Sequence, residues 1–203
     1  MASFPRNGAL AVLLLACAQA SLAADPPDRS SLPISLDAAS SDVDYKSQTV
    51  VFKDIVITQG DIRVEAQKAR ATGGLNFENT RWTFEGAVRI RVEQRGNLSS
   101  DQAVVDFQNN QISKATITGS PAQFEQQRTD ASAPARGRAG EIVYEVGAGT
   151  VRLATDAWLS DGRTEIAGPL IVYNIRAEQV QAASNPGEKE RVRITIGPKP
   201  EKP

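Results

Sequence analysis

From Arg81 to Gln94 the chain reads RWTFEGAVRIRVEQ, with Trp82, Phe84, Val88, Ile90 and Val92 on even positions and Thr83, Glu85, Arg89, Arg91 and Glu93 on odd ones. A period of two belongs to an extended strand with one dry face and one wet face. The same alternation recurs along most of the chain. LPISL sets Ile34 and Leu36 on one side. TVVFKDIVITQGDIRVEAQ carries Val50 and Phe52, then Ile55 and Ile57, and after a turn at Gly60-Asp61 it carries Ile62, Val64 and Ala66. A turn at Arg95-Gly96-Asn97 leads into AVVDF and QISKATITG. EIVYEVGAGTVRLATDAWLS, TEIAGPLIVYNI and RVRITIG complete the set of strands. Turn signals recur at intervals of about ten residues. RTDASAPARGRAG and SNPGEKE read as loops. IRAEQVQAA fits either one or two helical turns or a further edge strand. Gly86 marks a bulge that bends its strand. The expected fold is all-β, antiparallel and single-domain.

Weak internal similarity accompanies the pattern. Val50, Trp82 and Val151 can be placed in register, as can Phe52, Phe84 and Leu153. Val43, Leu75 and Tyr144 precede them; Val56, Val88 and Ala157 follow, and then Thr58, Ile90 and Leu159. Each unit is a strand, a turn and a strand, which suggests layered hairpins of a jelly roll or a solenoid.

The two ends differ from the middle. Residues 1–24 hold a single early positive charge, Arg6, then the apolar run GALAVLLLACAQA and small residues in SLAAD. This is the layout of a secretory signal peptide cleaved after Ala23 or Ala24, and it predicts export. Two alternatives stay open: an uncleaved anchor, and lipidation at Cys17 within LLAC. Residues 25–31 are a Pro/Ser/Asp-rich lead-in, residues 32–197 the folded domain, and residues 198–203, PKPEKP, a charged, Pro-rich disordered tail.

Composition narrows the chemistry. The chain has no histidine and one cysteine, Cys17. That removes His-based acid–base catalysis, Ser–His and Cys–His nucleophiles and His-rich zinc sites. The formal charge of −1 and the lack of a basic stripe argue against a nucleic-acid partner. No phosphate-binding glycine loop or G-x-S-x-G is present. The scattered carboxylates read as a solvated sheet face, with a carboxylate-only glycosidase as a distant alternative. No catalytic residue, metal or cofactor is expected.

Four stretches together resemble a known family: LPISLDA, VVFKDIVITQGDIRVEAQKA, GSPAQFEQ (residues 119–126) and GRAGEIVYEVGAGTVRLATDAWLSDGRTEIAGPLIVYNIRAEQVQA. In this order they resemble the LptA/OstA family of periplasmic lipopolysaccharide-transport proteins. The resemblance implies a V-shaped, incompletely closed β-jelly roll whose apolar interior groove holds lipid A acyl chains. It also implies open first and last strands that pair head-to-tail with further copies, with an LptC-like inner-membrane protein and with an LptD-like outer-membrane receptor. Carried over, groove-lining positions are Ile34, Leu36, Phe124, Tyr144 and Val146, where Val146 replaces a larger side chain. Phe84, Val88 and Ile90 join them from the dry face of the first strand quoted. Arg136 and Arg138 read first as a solvated loop and second as contacts to lipid phosphate. The expected role is a periplasmic, non-enzymatic lipopolysaccharide carrier. An LptC-like membrane-associated member of the pathway and a lipid-free β-solenoid or adhesin module are the alternatives.

Overall fold

A computed structural model describes residues 33–73, 79–94, 96–109, 111–127, 133–145, 147–174, 177, 179–184 and 191–198. The leader, the possible lipidation site at Cys17, Leu75, Val146 and the tail beyond Pro198 lie outside the described residues. The strands are β1 (Ser35–Asp37), β2 (Ser40–Asp44), β3 (Thr49–Gln59), β4 (Ile62–Thr72), β5 (Arg81–Val92), β6 (Gly96–Gln108), β7 (Gln111–Gln126), β8 (Ala135–Glu145), β9 (Thr150–Ser160), β10 (Thr164–Asn174), β11 (Gln179–Ala183) and β12 (Arg193–Ile196). All lie in one antiparallel sheet in which β3 to β10 follow one another as a meander. One edge is shared by β1 and β2, both paired with β3; the other is shared by β11 and β12, both paired with β10. The two edges do not meet, so the sheet is not closed into a barrel.

A line of irregularities crosses every long strand near its middle. The register shifts at Glu65/Lys68, Glu85/Val88, Ser99/Gln102, Thr118/Ala122, Arg138/Glu141 and Gly168/Leu170. Left-handed backbone sits on the same line at Asp54, Gly86, Ala87, Thr155 and Asp156. Bulges bend strands and increase their twist, so a row of them creases the whole sheet. Pro169, which cannot donate to a ladder, falls in one of these gaps. Inward residues beside the crease are mostly small: Ala66, Ser100, Ala122, Ala139, Ala157 and Gly168.

Burial shows what the crease does. Trp82, Ala69 and Leu153 on one side of it, and Ile55, Val88 and Ala139 on the other, are all almost fully buried in one apolar cluster. A flat single sheet would leave such a face wet. No helix or second sheet exists among the described residues to cover it. The cover is the other half of the same sheet, folded over along the crease. The jelly-roll form thus comes from bending a meander, with every long strand contributing to both layers, and not from Greek-key crossovers.

Two sequence expectations need correction. Ala135–Gly140 is not loop but the first half of β8. Its inward positions, Ala135, Gly137 and Ala139, are too small to register as an apolar face. The internal similarity also slips in its first unit, because β3 turns the crease with one left-handed residue, Asp54, where β5 and β9 use two. Ile55 and Ile57 therefore face inward, while Val56 and Thr58 sit opposite outward Glu65 and Arg63. IRAEQVQAA resolves to the edge strand β11 over its last five residues.

Gly86 is the crease position most sensitive to a side chain. Its φ is +76°, and an added Cβ would lie 2.2 Å from Gln67 Oε1 and 3.0 Å from Gln67 Cβ. Gly86→Ala is expected to destabilise the fold by about 1–2 kcal/mol, the cost of left-handed backbone for an L-residue. A urea midpoint equal to that of the parent chain would show that the crease does not depend on this glycine.

Candidate functional site

The inward face is built from rows of residues that stand opposite one another across successive strands. One begins at Leu36 on the first edge, passes through Ile57, Val64, Ile90 and Leu98, and continues through Phe124, Gly137, Leu159 and Ile166 to Ile194 on the last edge. Every member is apolar or glycine. Inter-strand steps of about 4.8 Å carry such a row roughly 43 Å across the sheet. A second row, beyond the crease, runs from Val43 through Val50, Ala71, Trp82 and Val105, then Ala115, Tyr144, Val151 and Tyr173 to Val180. Between it and the crease lies a third, containing Phe52, Phe84, Ile117, Leu153 and Ile171. Phe52, Trp82 and Phe84 stack, with ring centroids 6.0 and 5.9 Å apart.

The sequence-selected positions divide by burial. Phe84, Val88 and Tyr144 are buried in the cluster. Ile90 and Phe124 are half-buried against its margin and share the first row with Leu36. Ile34 and Leu36 are exposed at the edge. Val146 is outside the described residues. Ile57, Val64, Leu98, Gly137, Leu159, Ile166 and Ile194 complete the first row and were not selected from sequence. The Gly60-Asp61 turn could have given part of it, since a two-residue turn there fixes Ile57 opposite Val64.

Phe124 has a particular seat. Its ring lies over Gly137, where an added Cβ would come 2.2 Å from Phe124 Cε1. The row is thus continuous at β8 because an aromatic side chain from β7 fills the space that glycine leaves.

The outward face is charged and largely paired. Lys68–Glu85, Arg81–Asp106, Lys114–Glu145 and Glu125–Arg136 each join residues directly opposite in register, at 3.7, 2.5, 3.6 and 2.8 Å. Exposed pairs of this kind contribute little individually. Arg138 lies over the Trp158 ring, 4.7 Å from its centroid. Arg136 and Arg138 are therefore engaged side chains of a strand. The hydrogen bond from Arg63 holds the Glu65 carboxyl below its ordinary range. The Asp44 carboxyl is lowered too, first by the Ser47 side chain and then by backbone N–H groups of Ser47 and Lys46. Asp106 raises Arg81. All are exposed structural pairings.

An open depression of about 1170 Å³ lies where the β4–β5, β6–β7 and β8–β9 connections gather, lined in part by Thr80, Arg81, Asp106, Phe107, Ile112 and Lys114. Two of its charged groups, Arg81 and Asp106, neutralise each other. Among the described residues no cluster of acidic, histidine or cysteine side chains could hold a metal. Among the described residues the most extended feature is the long apolar inner surface.

Residues 72–179 match the family described as LptA/(LptD N-terminal domain) LPS transport protein. The lipopolysaccharide export system protein LptA of Haemophilus influenzae is 26% identical over 190 residues, covering 93% of this chain and 89% of that protein. Its namesake from Escherichia coli K12 is 25% identical over 158 residues, 77% of this chain and 68% of that protein. A crystal structure of LptH, the LptA-homologous periplasmic component of the lipopolysaccharide transport device of Pseudomonas aeruginosa, aligns over 85% of this chain and 100% of that one. The TM-score is 0.45, at 21% identity.

Proposed function

The chain belongs to the LptA/(LptD N-terminal domain) LPS transport protein family, and we propose that it is a periplasmic carrier of lipopolysaccharide. In this reading lipid A acyl chains lie against the inward rows, and the two sheet edges link an LptC-like inner-membrane protein to an LptD-like outer-membrane receptor. The family is one of transport proteins, not enzymes.

The observation that carries the reading is the first row, apolar from one edge of the sheet to the other and exposed at both ends, at Leu36 and Ile194. Each methylene of an acyl chain left in water costs about 0.8 kcal/mol, so a single chain of a dozen carbons costs on the order of ten. A surface that offers apolar contact along its whole length lets such a chain advance without meeting water. Contacts of similar quality at each step also keep it from being trapped. Main-chain pairing at an open edge, the arrangement that ordinary sheets avoid, extends the surface into a neighbour by β-augmentation.

A photo-reactive residue at Phe124, with a control at outward Arg89, tests this in growing cells. Lipopolysaccharide is expected to be captured from Phe124 and not from Arg89. An exported, folded protein that captures lipid at neither position points instead to a dry structural module.

A further inference from the structure

We propose that the inner surface selects acyl chains that carry a hydroxyl group, and that Ser100 is the residue that recognises it. The inference rests on the carrier reading and says which chains that surface suits. It starts from the floor of the crease. Ile55 stands opposite Ala66, Val88 opposite Ser100, and Ala122 opposite Ala139, with register shifts between the pairs. The five aliphatic members are at most 7% exposed, and Ser100 is 8% exposed. Its inward neighbours along β6, Leu98 and Ala103, are buried in the same cluster.

Among the described residues, no group gives a hydrogen bond to Ser100 Oγ or takes one from it. A buried hydroxyl without a partner is costly, and folded proteins contain few of them. A serine side chain ordinarily escapes by bonding to nearby backbone. Packing does not call for the oxygen either. Alanine occupies the matching floor positions at Ala122 and Ala139, and it would fit at position 100 without the penalty. Stability alone therefore favours alanine there, and a hydroxyl placed at this cost points to a partner that arrives with the cargo. Thr80 Oγ1 and Gln126 Oε1 share the same condition. Thr80 precedes β5 and Gln126 ends β7, so both lie at strand ends, whereas Ser100 lies within β6 on the floor itself.

The surroundings decide the chemistry of that partner. A charged group would lose its hydration among aliphatic side chains with no counter-charge to replace it. A neutral hydroxyl on an otherwise apolar chain fits. Its methylenes meet Val88, Leu98 and Ala122, and its oxygen exchanges a hydrogen bond with Oγ. Ala66, Ala122 and Ala139 keep the floor low, which lets a chain come close. An apolar site with one placed polar group gains orientation and selectivity in this way.

Tetradecanoic acid and its 3-hydroxy and 12-hydroxy derivatives, titrated by displacement of a fluorescent fatty acid, test the assignment on the intact protein, Ser100→Ala and Thr80→Ala. The hydroxyl of the chain and the hydroxyl of the residue form a double-mutant cycle. For at least one derivative, affinity relative to the plain chain is expected to fall about tenfold in Ser100→Ala and to stay unchanged in Thr80→Ala. The urea midpoint of Ser100→Ala is expected at or above that of the parent. A serine that only supports the fold, or one served by a trapped water, would shift all three chains alike. Ratios that do not respond to Ser100→Ala, an equal loss in Thr80→Ala, or a Ser100→Ala midpoint well below the parent each overturn the proposal. Failure of every chain to bind overturns it too. Lipopolysaccharide capture at Phe124 alongside any of these results leaves the carrier reading standing, so the two failures are told apart.

Discussion

Replacing Trp82 with alanine is expected to cost about 3–5 kcal/mol of folding stability. Trp82 is fully buried and is flanked by the stacked rings of Phe52 and Phe84. Its opposed partners on β4 and β6 are Ala71 and Val105, small side chains that cannot expand into the space it leaves. Residual cavity volume governs the penalty in such sites, so the upper part of the range is expected. Domains of this kind are stable by only about 5–15 kcal/mol, and the loss is a large share of that. Urea unfolding followed through Trp158, the other of the two tryptophans, checks it. The midpoint should fall well below that of the parent with the slope unchanged. A midpoint within experimental scatter of the parent would mean that the two layers do not close over this residue.

The alternation that betrays each strand is local, and there the sequence could be read well. Trp82, Phe84 and Val88 face inward as their spacing requires, and Gly86 sits at a bulge. Three features were hidden for physical reasons. The first half of β8 turns only alanine and glycine inward, so its dry face carries no hydrophobic signal. The crease inserts one residue in some strands and two in others, which shifts parity by amounts that no local pattern announces. The contrast between buried Val88 and half-buried Ile90, two residues apart on one face, depends on where the folded-over half ends, and that is set by residues far away in sequence. The inner surface was therefore legible as a set of faces, while the rows that cross it required the register. Ile194 shows the same limit: RITI is a readable strand, but its place at the end of the row from Leu36 follows only from nine successive pairings.

Phe124→Asp is expected to reduce lipopolysaccharide delivery to the outer membrane by about ten- to a hundredfold while leaving a folded, exported protein. Phe124 is half-buried, so an aspartate there can turn its carboxylate towards solvent and the fold survives. The lipid has no such escape. Any chain following the row from Leu98 to Leu159 must pass this position, and an uncompensated polar group against methylenes costs about 1–3 kcal/mol. That corresponds to about one to two powers of ten in occupancy. The matched control is Gln123→Asp, which places the same charge one residue away on the exposed outward face. It should transport normally. A third variant separates charge from shape: Gly137→Val drives a side chain into the space of the Phe124 ring and should impair transport without adding a charge. Delivery can be followed as surface lipopolysaccharide in cells whose only copy is the variant. If Phe124→Asp and Gln123→Asp are equally impaired, the inward row is not the path. If Phe124→Asp fails while Gln123→Asp succeeds and Gly137→Val fails with it, the seat over Gly137 is a step that the lipid must cross.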